Sequence, residues 1–532
     1  MIAELIRAAE PTGPRRLGGL IERLGANGLL IGARLGGAAA DPAALGGVAI
    51  AGITYDSRRV VPGGLFVAIA GEHADGHDFL PAAAGAGVRV VIVERPVDAS
   101  GLDELIVTDS RRALATSAGW WYDDPSHELG VVGITGTDGK TTTSFLAVAA
   151  LEAAGVPAGL VGTVETKIGR RREANPEHVT TPQAPELQAI LRAMVAAGDR
   201  LALVETTSHG LALHRVDEIA YDVAILTNLS HEHLELHHTF EAYRAAKLSL
   251  FERLAERGPG KPWPRAGIVN HDDPAAALFE RVTREVGARL VSYGTSDGSD
   301  VRAVRVAEGL RRLGIDVVAP SWRGRLELRL AGRFNVHNAL AVVALGQALE
   351  LDPGAVRAGL ESVVAVPGRM ERVDVGQPFG LVIDYAHSPA ALDKVLGILG
   401  PVAAARGGGL IAVFGSAGER DRAKRPMMGR IAGERCRLVV LADEDPRGEK
   451  PMAILEEIAQ GAEAAGRRRG RDLLLIPDRR AAIAAAFGQA RPGDVVLLAG
   501  KGHERSIIYG TEERPWDERA AALEALAGLG YR

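Results

Sequence analysis

Val131-Val132-Gly133-Ile134-Thr135-Gly136-Thr137-Asp138-Gly139-Lys140-Thr141-Thr142-Thr143 decides how this chain is read. An apolar, β-branched run enters a Gly-rich turn, and Lys140-Thr141 opens an Ala/Leu-rich helical segment, Ser144 to Leu151. Strand, turn and helix N-terminus in that order describe a phosphate-binding loop. Glycines let the backbone approach an anion, and free N–H groups with the helix dipole stabilise it. Lys140 would bring a mobile positive charge to the β/γ-phosphates, and Thr141 a hydroxyl ligand for Mg²⁺. The general pattern G-x-x-x-x-G-K-[ST] asks for glycine where this chain has Ile134; its glycines fall at 133, 136 and 139. A Gly-rich turn without a ligand is the bland alternative. Nucleotide binding is the stronger reading.

The bulk properties narrow the rest. At 532 residues the chain exceeds one core, and two to four domains are expected. With 47% apolar and 24% charged residues it is an ordinary globular protein. A net charge of −5 gives no basic footprint, which argues against a nucleic-acid partner. The only cysteine, Cys436, excludes an intrachain disulfide framework or a Cys-ligated zinc site and suits a reducing cytosol. No apolar run approaches the ~18 residues of a membrane span. The N-terminus carries Glu4, Glu10 and Pro11 and lacks the apolar core of a signal peptide. A soluble cytoplasmic protein is expected.

Residues 1–45 read as a peripheral, partly flexible extension, with a weak helical period over Arg16–Leu24 before a Gly/Ala-rich stretch. From Val48 the texture becomes α/β. Val48–Tyr55 reads as a strand ending in Asp56-Ser57-Arg58, and Leu65–Ala70 as a second. The polar loop Gly71–His77, an Ala-rich helix and the strand Val88–Glu94 follow, in a unit closing near Asp124-Pro125. In the central segment Leu201–Glu205 and Asp222–Asn228 are apolar strands ending abruptly in polar residues. Open parallel α/β sheets bind ligands beyond such strand ends. Glu205 is placed to reach a nucleotide's Mg²⁺, which prefers few carboxylates plus phosphate oxygens and water.

His231, His233, His237 and His238 leave three readings open: a dedicated zinc site, a solvated polar turn, or one or two histidines near a nucleotide metal. The zinc motif H-E-x-x-H is absent, because position 235 is Glu. Phe240–Phe251 is an amphipathic helix with Lys247 on its apolar stripe, i+4 from Tyr243 and i−4 from Phe251. A snorkelling lysine is the default there. Beside a metal a plain ammonium would repel the ion, so a modified or paired lysine would be required. Alternating residues from Ser292 to Leu330 suggest hairpin strands, and Val366–Arg372 reads as an inter-domain linker. The last third repeats strands near Ile411–Phe414, Leu438–Ala442, Leu473–Ile476 and Val495–Leu498. Three of them run into polar tails, Gly415–Arg422, Asp443–Glu449 and Gly500–Glu504, and tails gathered at one sheet edge argue for a binding site.

From about Gly52 to Glu518 the chain resembles the Mur ligases, most closely their MurE type. The resemblance is carried by Thr54–Arg58, Gly71–His77, Thr135–Thr143, Thr180-Thr181-Pro182, Glu205–Arg215, Asn228–Lys247, Gly332–Asn338, Gly368–Glu371, Asp384–Pro389, Gly415–Met427, Asp445–Arg447 and Gly500–Glu504. It implies an α/β protein of three domains. These are a small UDP-sugar-binding domain (46–125), a central parallel-sheet ATP-binding domain (126–365) and a C-terminal Rossmann-like domain for the diamino acid (366–532). Carried over residue by residue, ATP would meet Gly136, Thr137, Asp138, Gly139, Lys140, Thr141 and Thr142, with Asn338, Arg369, Asp384 and His387 at the adenosine. Mg²⁺ would lie near Thr141 and Glu205, and a second ion between His233 and a carbamylated Lys247, whose anionic carbamate binds metal. Lys140, Glu205, His233 and Lys247 would carry the catalysis. Tyr55, Ser57, Glu72, His73 and Ala74 would hold the UDP-sugar, and Thr180, Thr181, Thr207 and Arg215 the peptide. Arg420, Glu444, Asp445, Pro446, Arg447, Gly500 and Glu504 would hold the diamino acid.

The implied reaction is amide formation on UDP-N-acetylmuramoyl-dipeptide by a monomeric, cytoplasmic enzyme of peptidoglycan precursor synthesis. A carboxylate attacks the γ-phosphate of ATP, and an amine displaces phosphate from the resulting acyl phosphate, with domain closure assembling the site. Several positions depart from the family. Asp138 stands where the family loop carries Asn, Glu205-Thr206-Thr207-Ser208 replaces E-V-S-S, and Leu213 replaces a residue that can be polar. Glu444-Asp445-Pro446-Arg447 stands where diaminopimelate-adding members carry D-N-P-R. Arg447 suits a bidentate grip on a carboxylate and favours meso-diaminopimelate; the charge of Asp445 favours lysine or ornithine. Two other classes stay open: a folylpolyglutamate-synthetase type of ligase, and a non-catalytic nucleotide-binding paralogue or simple NTPase.

Overall fold

The strand Gly130–Thr135 is wholly buried within a largely parallel sheet. Leu201–Glu205 pairs with it on one side and Val223–Leu226 on the other, both parallel. Ala158–Val161 continues the sheet beyond the first, and Ala266–Asn270 with Arg289–Gly294 beyond the second. The antiparallel strands Glu165–Ile168 and Arg171–Ala174 finish one edge. Such strands read as continuous apolar runs because both faces are covered. Val131, Val132 and Ile134 are fully buried, each worth about 1.5–3 kcal/mol on leaving water. The helices Lys140–Ala153, Ala184–Ala196 and Phe240–Glu252 pack on this sheet.

The computed structural model describes residues 1–71, 74–97, 101–175, 179–230, 234–256, 260–308 and 312–531. By proximity the chain forms two units. The first is Met1–Arg305, Asp316–Gly324 and Val336–Leu360; the second is Val306–Ile315, Arg325–Asn335 and Glu361–Arg532. Strands at Val301–Glu308, Leu313–Ala319 and Trp322–Leu328 occupy the stretch read as hairpins.

The first unit also holds a six-stranded sheet, in the order Ala38–Ala40, Leu30–Leu35, Asp103–Val107, Val90–Val93, Leu65–Val67, Ile53–Thr54. Two expectations are corrected here. Residues 1–45 are not a peripheral extension. Leu30–Leu35 pairs with Asp103–Val107, and Leu17, Leu20, Ile21 and Leu24 share a core with Leu65, Val67, Val90 and Ile92. The Gly/Ala-rich stretch is a hairpin, with Gly36-Gly37 at φ 53° and 88° between the paired Leu35 and Ala38. The boundary expected at residue 45 therefore falls inside one sheet. The strand expected over Val48–Tyr55 is likewise two short strands with different partners. Ala49–Ile50 pairs with Arg15–Arg16, and Ile53–Thr54 with Leu65–Val67. The chain changes partners at Gly52, whose carbonyl accepts the Leu65 N–H, 2.8 Å.

The second unit contains a six-stranded sheet ordered Glu371–Val373, Gly380–Asp384, Val495–Ala499, Leu410–Phe414, Leu438–Leu441, Leu473–Leu475. All neighbours are parallel except the first pair. The end of the segment read as a linker is thus an edge strand. Asp384, Gly415, Asp443 and Gly500 all follow carboxyl ends of this sheet or close them, the edge where such sheets bind ligands.

Candidate active site

The phosphate loop leaves its strand at Gly136, at φ 145°, where a Cβ would overlap the Thr227 hydroxyl. Only glycine fits. Asn228 then fastens the turn. Its Oδ1 accepts the Asp138 N–H (3.0 Å), its Nδ2 donates to the Asp138 carbonyl (3.0 Å), and its carbonyl accepts the Thr137 N–H (2.8 Å). The side chain of Asp138 is exposed. Lys140 starts the helix and its Nζ folds back onto the carbonyls of Gly136 (2.8 Å) and Thr137 (3.0 Å). An ammonium resting on carbonyls beside the loop can transfer to a stronger anion.

Glu205, at the end of the neighbouring strand, is fully buried and surrounded by donors. Its Oε2 accepts from the Thr141 hydroxyl (2.9 Å) and the Thr163 hydroxyl (2.8 Å). Its Oε1 accepts from the Ser144 hydroxyl (3.1 Å) and the Thr163 N–H (3.3 Å). Thr142, on the same helix turn, is buried too. From Glu205 a hydroxyl network runs outward. Thr163 contacts Thr180 at 3.0 Å, and Thr181 donates to the Glu205 carbonyl (2.8 Å) while lying 3.0 Å from the Thr207 hydroxyl. Thr207 caps the short helix Ser208–Ala212 by accepting the Gly210 N–H. Arg215 donates to the Thr181 carbonyl (2.8 Å), yet its buried Nε has no hydrogen-bond partner. Burial, with Arg111 nearby, lowers its affinity for the proton. An incompletely satisfied guanidinium is a ready receptor for a carboxylate.

Asn338 approaches the same loop from the helix Asn335–Ala348, its Oδ1 accepting from the Thr143 hydroxyl at 3.3 Å. Tyr55 donates to Glu186 (3.2 Å), and Ser57 begins a 3₁₀ turn capped by Asp56. Ala74 is exposed, its carbonyl accepting the Gly71 N–H at 2.9 Å. Glu72 and His73 lie outside the described residues.

Lys247 does not snorkel. It is 1% exposed, donates to the Gly136 carbonyl (2.8 Å) and sits 4.6 Å from the centre of the Tyr243 ring. Tyr243 in turn contacts the Thr137 hydroxyl at 2.9 Å, so this helix face packs onto the phosphate loop. His237 is buried against Tyr243 and His209, with an unpartnered Nε2, so it is no part of a solvated turn. Burial and the Lys247 charge lower its proton affinity. His238 is exposed, while His231 and His233 lie outside the described residues. Among the described residues no group of three or more His, Cys, Asp or Glu is arranged around a metal.

In the second unit, Asp384 orders the loop carrying Arg369, accepting the Met370 N–H (2.8 Å) and the Ala386 N–H (2.9 Å). Arg369 lies over the Tyr385 ring (4.9 Å), which also neighbours His387 (4.6 Å) and His503 (5.0 Å). Burial, with Lys424 beside it, holds His387 below its ordinary pKa. Glu444 is buried with an unpartnered Oε2, and burial raises its pKa against the pull of Lys424 and Lys501. Glu504 is raised for the same reason, opposed by Lys501, and accepts from the Tyr385 hydroxyl at 3.3 Å. Asp443 accepts from the Tyr509 hydroxyl (2.9 Å), and burial pushes its pKa up to about 6. Asp445 is paired with Lys501 (2.8 Å), and Arg447 holds φ 53° with an unpartnered Nε. Gly500 (φ 97°) faces Glu444, Pro446 is buried, and Arg420 is exposed.

Several contributors escaped the sequence reading. Thr163 joins the two threonine clusters and follows a strand whose polar end is only Gly162-Thr163. Fully buried Arg479 pairs with Glu518 and donates to the carbonyls of Asp443 (3.1 Å) and Ala499 (2.7 Å), bracing both loops of the second cluster. Arg425 does the same for the 415–422 tail, binding Glu449, Glu457 and the Ala417 carbonyl. Helical position alone does not distinguish these arginines from surface ones.

Residues 49–117 match the Mur ligase family catalytic domain, 134–346 the Mur ligase middle domain, and 368–502 the Mur ligase glutamate ligase domain. The chain is 48% identical over 489 residues to the UDP-N-acetylmuramyl-tripeptide synthetase of Roseiflexus sp. (strain RS-1), covering 91% of this chain and 95% of that one. It is 40% identical over 496 residues to the UDP-N-acetylmuramoyl-L-alanyl-D-glutamate–2,6-diaminopimelate ligase of Geobacter metallireducens, covering 90% and 95%. A solved structure of a ligase of the latter description superposes with a TM-score of 0.61 at 28% identity, over 91% of this chain and 96% of that one.

Proposed function

The chain belongs to the Mur ligase family, and from that premise we propose that it joins a diamino acid to UDP-N-acetylmuramoyl-L-alanyl-D-glutamate at the expense of ATP. The D-glutamate γ-carboxylate oxygen attacks the γ-phosphorus and ADP leaves. The amine nitrogen then attacks the acyl carbon of the acyl phosphate, inorganic phosphate departs, and the amine's proton passes to solvent. One observation carries the reading: the Glu205 carboxylate accepts from the phosphate-loop Thr141 and from Thr163, whose hydroxyl contacts Thr180, while the Glu205 carbonyl accepts from Thr181, which contacts Thr207 and Arg215. Phosphate and peptide functions share a buried carboxylate, as transfer between them requires.

In this proposal Tyr55, Ser57, Glu72, His73 and Ala74 take the UDP-sugar. Segment 126–365 takes ATP and the peptide, and 366–532 the diamino acid. Lys140 exchanges its loop carbonyls for β/γ-phosphate oxygens and offsets their charge as the phosphoryl group transfers. Arg215 holds the peptide carboxylate against the threonines. Asn338, Arg369, Asp384 and His387 serve the adenosine, and Arg420 with the 444–447 and 500–504 loops receives the amine.

The donor set fits Mg²⁺. The Thr141 and Glu205 oxygens are 2.9 Å apart, about the spacing of adjacent oxygens in an octahedron with 2.0–2.1 Å bonds. When bound, the ion would neutralise phosphate charge. A second ion near His233 would need an anionic Lys247. A carbamate there keeps an N–H for the Gly136 carbonyl, so the contact that places the side chain survives the modification. A supply of nucleotide-linked sugars and ATP supports action in the cytoplasm, and the enzyme is proposed to act as a monomer.

The favoured amine is meso-diaminopimelate, supported by Arg447, with lysine or ornithine as the alternatives. ADP release with UDP-N-acetylmuramoyl-dipeptide, run in parallel with the three amines, tests the reading. Turnover that needs the amine and is fastest with diaminopimelate supports it; repeated turnover without any amine overturns it.

A further inference from the structure

Lys501, in the second cluster, is a cation enclosed by carboxylates. It is fully buried, with Nζ 2.8 Å from Asp445 Oδ1 and 2.5 Å from Glu504 Oε2. The same Asp445 oxygen accepts the Ile508 N–H at 3.0 Å. Both carboxylates lie in the loops that receive the amine, and one of them is the departure that left the amine in doubt. A buried ammonium between two carboxylates cancels most of their field, and removing it would leave them uncompensated.

Arg447 stands two residues further on. Its backbone is pinned to the strand Ser506–Tyr509, N–H to the Ile508 carbonyl at 2.9 Å, and its Nε is buried without a hydrogen-bond partner. A guanidinium with an open donor on a pinned backbone is a carboxylate receptor. Diaminopimelate and lysine differ at their far ends. One presents a carboxylate beside the second ammonium, and the other the ammonium alone.

We propose that Lys501 is a positioning residue that sets the choice of diamino acid. By clamping Asp445 and Glu504 it withdraws their charge from the substrate and leaves Arg447 to select an amine carrying a second carboxylate. The proposal rests on the ligase reading above and deepens it.

The test uses the full-length protein and its Lys501→Met, Asp445→Asn and double variants, measuring kcat and KM for meso-diaminopimelate, L-lysine and ATP. Lys501→Met leaves two bare carboxylates, so kcat/KM for diaminopimelate falls about 10²-fold, chiefly through KM, and the diaminopimelate/lysine ratio narrows about tenfold. The KM for ATP moves by less than about twofold, which a collapse of the domain would not allow. Asp445→Asn removes one negative charge and widens the ratio, and the double variant returns toward the wild-type ratio. Single variants that both keep the wild-type ratio, or shift it in the same direction, overturn the proposal, as does a wild-type preference for lysine. Should Lys501→Met fail to fold, Asp445→Asn decides alone: an unchanged or narrowed ratio refutes it. A wild-type protein that forms no amide with any amine refutes the ligase reading instead, a result distinct from an unchanged ratio.

Discussion

The two polar clusters handle charge in opposite ways. Around the phosphate loop, one buried carboxylate, Glu205, is held by neutral donors from Thr141, Ser144 and Thr163, and Lys140 rests on carbonyls. In the second unit buried cations meet buried or half-buried carboxylates: Lys501 with Asp445 and Glu504, Arg479 with Glu518, Arg425 with Glu449 and Glu457. Neutral donors can be traded for an incoming ion at little cost, whereas a closed ion cluster resists rearrangement because each unpaired member would be buried alone. The first cluster is arranged to exchange partners during a reaction, the second to hold a shape.

If that contrast is sound, variants of the first cluster lose catalysis without losing the fold. Lys140→Ala should lower kcat for ADP release about 10³-fold or more, with an unchanged melting temperature. Equal losses in both would break the contrast. Glu205→Gln should cost roughly 10²-fold and raise the Mg²⁺ concentration needed for half-maximal rate. A normal Mg²⁺ titration would remove Glu205 from the metal. Gly136→Ala changes the scaffold instead. Its positive φ and the overlap with Thr227 should destabilise the first unit by about 2 kcal/mol in denaturant unfolding.

The smallest effect belongs to Asp443, whose pKa of about 6 lies above the unfolded value near 3.9. Between those values the native state binds the extra proton, so this group's contribution is present at low pH and lost as pH rises through about 6. Asp443→Asn should therefore gain melting temperature relative to wild type at pH 7.5 and show no gain near pH 4. A gain equal at both pH values would assign the effect to packing.

The phosphate loop was legible because its determinants are local: an apolar strand, glycines, then Lys140-Thr141. The strands Leu201–Glu205 and Val223–Leu226 were legible for the same reason, as apolar runs cut short by polar residues. Residues 1–45 were misread because Leu30–Leu35 becomes a strand only by pairing with Asp103–Val107, a partner no local pattern announces. Lys247 sat visibly on an apolar stripe, but its burial depends on Gly136, 111 residues away. Lys501 and Asp445 are 56 residues apart, so the charge of Asp445 was legible but its pairing with Lys501 was not. Periodicity finds elements; it does not find which buried charges meet.

The central claim is that ATP cleavage is coupled to amide formation on a UDP-linked peptide. The most direct measurement follows ADP together with product mass, using UDP-N-acetylmuramoyl-L-alanyl-D-glutamate and meso-diaminopimelate. The account predicts one ADP per amide formed, with no ADP when the peptide is withheld and at most one equivalent per enzyme when the amine is withheld. ADP released at the same rate without the amine, and no new amide, would contradict it.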